Sequence, residues 1–194
     1  MGIDDGYGIL TVPGLRRFLA GAAIAAGLLC FLWGCAPGAL SPGSSAVRID
    51  KVPFYPQDEY QCGPASLAGV MNYWKVPVTP DEIAREIFSR TARGTLTIDM
   101  VFYAERKGLT ARQYRGSWND LRKKVTDGYP LVVLVDEGFS LYQANHYMVV
   151  TGFDDRGVIV NSGPTKQGVV ETDAFVRRWE RAGFWTLWIY PGER

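Results

Sequence analysis

One histidine, His146, and three cysteines, Cys30, Cys35 and Cys62, are the residues of this 194-residue chain whose types suit covalent chemistry. A thiol attacks as its anion. It therefore needs a lowered pKa, a base to take the proton, and donors for the oxyanion that forms. Cys62 stands before Gly63-Pro64-Ala65-Ser66-Leu67, where a proline in the first helical turn costs no hydrogen bond. That position sets the sulfur at the positive end of a helix dipole, which favours a thiolate. His146, at the head of an apolar run, is the candidate base, and the amide of Gln57 is a candidate oxyanion donor. The second ring nitrogen needs a partner, and a hairpin after His146 brings Asn161 or Ser162 near it. Both are polar in an otherwise apolar segment, and both stay open as candidates.

Bland roles compete with each assignment. Cys62 could be a small core hydrophobe, His146 a satisfied core histidine, Gln57 a surface amide, and Asn161 or Ser162 a strand-end cap. The cysteine count weighs against the first. In an exported protein thiols normally pair, and only Cys62 remains once Cys30 and Cys35 are accounted for by the amino-terminal segment.

The elements that must position these groups follow from periodicity. Leu67, Met71 and Trp74 lie at i, i+4, i+7 and predict a helix from Cys62 to Trp74. Thr79-Pro80-Asp81-Glu82 reads as a capping box that opens a helix running through Phe88. A third helix is expected from Ile98 to Lys107, capped by Thr97 and stopped by Gly108, and a fourth from Ser117 to about Gly128. Strand signals follow: Leu131–Val135 for a sheet centre, then a hairpin from His146–Phe153 through Asp154-Asp155-Arg156-Gly157 to Val158–Asn161. A short helix over Asp173–Arg181 precedes Phe184–Tyr190, an aromatic strand expected to close the sheet. Helices before an antiparallel sheet make the fold class α+β. Trp179, Trp185 and Trp188 read as core, and Arg122-Lys123-Lys124 as a solvated helix face.

The first residues carry a different signal. Phe18–Trp33 is uncharged and follows Arg16-Arg17. As a helix it would span about 24 Å, short of a hydrocarbon core of about 30 Å, so it reads as a secretory leader. Leu32-Trp33-Gly34-Cys35 resembles a bacterial lipobox, with residues 1–34 as signal peptide and Cys35 as the lipidated residue. Residues 1–15 carry Asp4 and Asp5, unlike a short basic leader start, and point to a start further along the chain. Residues 35–46, rich in Gly, Ser and Pro, read as a flexible tether, and 47–194 as one domain large enough for a core. The expected location is the cell envelope, lipid-anchored on the periplasmic side, with Ala36 pointing to the outer membrane.

Composition narrows the partners. With 21 Lys+Arg against 20 Asp+Glu, no basic excess exists to bind nucleic acid. One histidine and scattered carboxylates offer no zinc-ligand spacing, so no metal or cofactor is expected.

Taken together, Val52–Gln57, Tyr60-Gln61-Cys62-Gly63-Pro64-Ala65-Ser66-Leu67, His146–Asp154 and Val158–Asn161 resemble the peptidase C39-like family, on the papain-like fold. The resemblance implies Cys62 as nucleophile, His146 as base and Gln57 as oxyanion donor. Ser162, with Asn161 beside it, stands where typical members carry an aspartate. It also implies a peptide or protein substrate, presented by a separate export system, since no ATP-binding motif or transporter segment is present here. Two other functions use the same residues: a non-catalytic peptide-binding module, and a cysteine amidase or transpeptidase acting on envelope material.

Overall fold

The computed structural model describes residues 46–56, 61–139 and 142–192. The leader, the lipobox with Cys35, most of the tether, and Gln57 lie outside the described residues. Among the described residues no helix is long and apolar enough to cross a membrane.

Helix α1 (Cys62–Tyr73) differs from the amphipathic helix that its spacing predicts, because every residue from Gly63 to Met71 is buried. Small residues make this possible. Gly63, Ala65, Ser66, Ala68 and Gly69 let neighbouring backbone approach on faces where larger side chains would stand. A Cβ on Gly69 would meet the Pro53 carbonyl oxygen at 2.8 Å, and one on Gly63 would meet the Thr95 Cβ at 2.8 Å. Leu67, Val70 and Met71 then fill the core from the same helix.

Helix α2 (Pro80–Ile87) carries both halves of the predicted box. The Thr79 hydroxyl accepts from the Glu82 amide, and the Glu82 carboxylate accepts from the Thr79 amide, satisfying donors that a helix start leaves open. A two-residue pair, β2 (Phe88–Ser89) with β3 (Gly94–Thr95), leads into α3 (Thr97–Arg106). Here the residue before the helix is Leu96, without a side-chain cap, and Thr97 lies inside the helix. Gly108, at φ 86°, takes the left-handed conformation that ends a helix at no steric cost. In α4 (Trp118–Thr126) the Ser117 hydroxyl accepts from the Asp120 amide, as expected of an N-cap.

The sheet is antiparallel throughout. Strand β1 (Val47–Arg48) pairs with the far end of β6 (Asn145–Phe153). The main order runs β4 (Leu109–Arg115), β9 (Trp185–Pro191), β5 (Leu131–Asp136), β6, β7 (Val158–Ser162) and β8 (Thr165–Val170). Strand β5 is central, as its apolar run predicts. The aromatic strand β9 lies between β4 and β5 rather than closing the sheet. The edges are β4, in which Leu109 and Ala111 are buried, and β8; short, mostly polar runs gave neither a strand signal. Helix α5 (Thr172–Arg181) buries Phe175 and Trp179. Helices with an antiparallel sheet make this an α+β fold, the class the sequence predicts.

Candidate active site

Helix α1, whose first residue is Cys62, packs on β6, β5 and β7, and β6 carries His146 as its second residue. Cys62 carries a free, half-buried thiol. The backbone of Tyr147, the residue next to His146, and that of Gly63 and of Cys62 itself lie where they favour the sulfur's anion. Burial pushes the thiol above the ordinary cysteine value. The three backbone interactions pull it down, and the Glu137 carboxylate adds to the rise. The helix tip alone therefore does not produce the low-pKa thiolate expected from the sequence, since desolvation outweighs the donors around the sulfur.

His146 is half-buried as well. Burial holds its imidazole below the ordinary value, and Glu137 works in the opposite direction. Both directions favour the uncharged forms of Cys62 and His146 over a standing thiolate–imidazolium pair.

Among the described residues the imidazole has one hydrogen-bond partner. His146 Nε2 lies 2.9 Å from Ser162 Oγ. Strand register explains the choice between the two candidates. Asn161 pairs with Val149 and Val160 with Val150, and successive strand residues face opposite sides of a sheet. Ser162 therefore shares a face with Met148 and His146, and Asn161 takes the other face. Asn161 is 3% exposed, and its Oδ1 accepts from the Gln167 amide at 2.9 Å. The expectation that Asn161 orients the imidazole is corrected on this ground: its oxygen holds β8 in place beside β7.

Around this pair, the Tyr147 hydroxyl donates to the Thr95 carbonyl at 3.1 Å, tying the start of β6 to the segment packed on Gly63. Asp136 Oδ1 accepts from the amides of Gly138 and Ala144 at 2.8 and 2.9 Å, which clamps the loop between β5 and β6. Those donors hold its carboxyl below the usual range. Exposed Leu96, Ile98, Phe102, Phe139 and Tyr142 lie on the two segments, β3–α3 and β5–β6, that lead to Thr95 and His146. Among the described residues no three His, Cys, Asp or Glu side chains cluster to hold a metal ion.

Sequence reasoning singled out neither the Tyr147 backbone nor Glu137. A backbone group has no residue-type signature, and Glu137 meets the site through strand pairing alone.

Comparison with known proteins bears on the family and the fold. Residues 49–186 match the Peptidase_C39 like family. An uncharacterized protein of Methanothermobacter thermautotrophicus is 31% identical over 128 residues, covering 66% of this chain and 82% of that protein. A chain assigned as a C39-like peptidase from Bacillus anthracis superimposes with a TM-score of 0.64 at 17% identity, over 78% of this chain and all of the other. A double glycine motif protease from an AMS/PCAT transporter, solved with its leader peptide, gives a TM-score of 0.61 at 25% identity, over 77% of this chain and 100% of that one. By sequence match and by fold, the chain belongs to the peptidase C39-like family.

Proposed function

We propose that this protein is a cysteine peptidase that hydrolyses peptide bonds at the cell envelope. The observation that carries the reading is an imidazole hydrogen-bonded to Ser162 near the head of the strand on which the helix that starts at Cys62 packs. With Nε2 donating its hydrogen to Ser162 Oγ, Nδ1 is the free base. Cys62 Sγ attacks the substrate carbonyl carbon as its proton passes to His146 Nδ1. The oxyanion is held by the Cys62 backbone N–H and by Gln57. The imidazolium then protonates the leaving amine, the C–N bond breaks, and a thioester remains. Water, deprotonated by the same imidazole, releases the acid and restores the thiol.

A neutral resting pair suits general-base catalysis, in which the proton moves as the bond forms, rather than a standing ion pair. The substrate is a peptide, by similarity to the relative solved with its leader peptide. Residues 1–34 act as the leader and Cys35 as the lipid anchor, which holds the domain near exported substrates. The amidase reading shares every residue named here, so substrate decides between them.

The test is cleavage of a peptide library that includes double-glycine sequences, beside a peptidoglycan digest, by wild type, Cys62→Ala and His146→Ala. Expected is peptide cleavage abolished in Cys62→Ala and reduced roughly 10²–10⁴-fold in His146→Ala. Cleavage that survives Cys62→Ala, or products from peptidoglycan alone, sinks the reading. Peptide binding without turnover would assign the binding module instead. The anchor is tested separately: radiolabelled palmitate should enter the wild type and not Cys35→Ser.

A further inference from the structure

The imidazole of this site has a hydroxyl for a partner, so no charge on β7 compensates the positive ring formed during catalysis. Strand β7 carries no titratable side chain at all, being Val158-Ile159-Val160-Asn161-Ser162. Among the described residues, negative charge on the His146 face comes from the other neighbour of β6. Val135 pairs with His146 and Asp136 with Asn145, and the Glu137 amide donates to the Ala144 carbonyl at 2.9 Å. Alternation then puts Glu137 on the same face as Val135 and His146, one diagonal step from the ring, a separation of about 7–8 Å between such positions.

Among the described residues, the other charged groups at this end of the sheet include Lys166, exposed on β8 next to Thr165, the strand partner of Ser162. Asp136 faces the opposite way, towards Arg181 Nε at 3.6 Å. Arg178 on α5 lies 3.8 Å from Glu137 Oε1. From α1 comes the Cys62 thiol itself. Asp99 on α3 acts on Tyr147. Helix α4 and β1 meet β6 at its far end, where Arg122 sits over the Phe153 ring. Among the described residues, Glu137 is therefore the carboxylate that register places on the face of His146 at this end of β5, and its charge favours the protonated ring and disfavours the thiolate.

We propose that Glu137 is a positioning residue of this site: from the open end of β5 its carboxylate supplies the negative charge that favours a protonated His146 and that Ser162 cannot supply, and Arg178 sets how much of that charge the ring feels. The role rests on His146 acting as the base in the peptidase reading. The charge effect itself needs no turnover to be seen. Because the carboxylate is exposed, its field is weakened by water and salt, and the aromatic loop beyond it can alter that exposure when a substrate lies across Phe139 and Tyr142.

His146 is the single histidine of the chain, so its ring resonances are unambiguous in an NMR titration. A unit charge at this separation, in surroundings between protein surface and water, moves the midpoint by roughly half a pH unit. Glu137→Gln is expected to lower the midpoint by that amount, and Glu137→Asp by less. Arg178→Gln is expected to raise it, and 1 M NaCl to shrink each difference. The pH profile of kcat/KM should shift in parallel. A midpoint that stays or rises in Glu137→Gln overturns the proposal, as does one that ignores salt. Titrations that move in a protein cleaving no peptide would leave the charge effect standing and remove the peptidase; cleavage with an unmoved midpoint would do the reverse.

Discussion

Ser162 and Asn161 are neighbours with opposite tasks, and the difference is measurable. Ser162 Oγ meets the imidazole, a neutral hydrogen bond that typically contributes about 0.5–1.5 kcal/mol. Ser162→Ala is therefore expected to lower kcat/KM by roughly 2–12-fold, with the melting temperature nearly unchanged. Asn161 is buried and holds the Gln167 amide. Asn161→Ala leaves that donor without its partner, at a cost of about 1–3 kcal/mol. Thermal melts and steady-state kinetics on both variants should thus dissociate: Ser162→Ala loses rate, Asn161→Ala loses stability. The reverse pattern would reassign the imidazole's partner.

At the scale of elements, the site depends on how closely β3 approaches the first turn of α1. The contact is made by Gly63 against Thr95, whose carbonyl also takes the Tyr147 hydroxyl. A methyl on Gly63 must push either the helix start or β3 away, and the first carries Cys62 while the second is tied to β6. Gly63→Ala is expected to cost about 1–3 kcal/mol, as overpacking does, and to lower kcat well beyond what the melt accounts for, since small misplacements of reacting groups are expensive. Full activity in that variant would show that the contact does not set the geometry. The basic run Arg122-Lys123-Lys124 is less solvated than its composition implies. Arg122 covers the Phe153 ring, and Lys124 lies 4.6 Å from the Trp188 ring, so two of the three stems shield aromatic surface.

For the whole molecule, a neutral buried pair makes stability fall at both ends of the pH scale. His146 has a folded-state pKa below its ordinary value of 6.5. As pH drops through that value the unfolded chain binds a proton that the folded chain does not, so stability declines. Cys62 has a folded-state pKa above its ordinary value of 9.0. As pH rises through that value the unfolded chain releases a proton that the folded chain keeps, and stability declines again. Melting temperature should therefore be highest between about pH 7 and 8.5. The fall between pH 7 and 5 should shrink in His146→Gln, and the fall above pH 9 in Cys62→Ala. The carboxylates held low, Asp136, Asp154 and Glu171, lose their contribution only further into acid, as they protonate. Melts that are flat from pH 5 to 7 in wild type would argue that the imidazole is solvated.

The sequence by itself determined the composition of the site and most of the elements. A lone cysteine before Gly-Pro at a helix start, a lone histidine heading an apolar strand, a capping box and a central valine-rich strand are local patterns. Each is set by residues within a few positions of one another, and family resemblance rests on the same short blocks. Only the tertiary structure decided the rest. The edge strands β4 and β8 are mostly exposed, with Leu109 and Ala111 the buried residues of β4, and they exist because a neighbouring strand pairs with them. The position of β9 inside the sheet depends on pairing across the chain, from Leu109–Arg115 to Trp185–Pro191. The choice of Ser162 over Asn161 turned on register, since one residue of slip exchanges the two faces. The charge states of Cys62 and His146 turned on burial, which depends on everything packed around them and on nothing that spacing along the chain records.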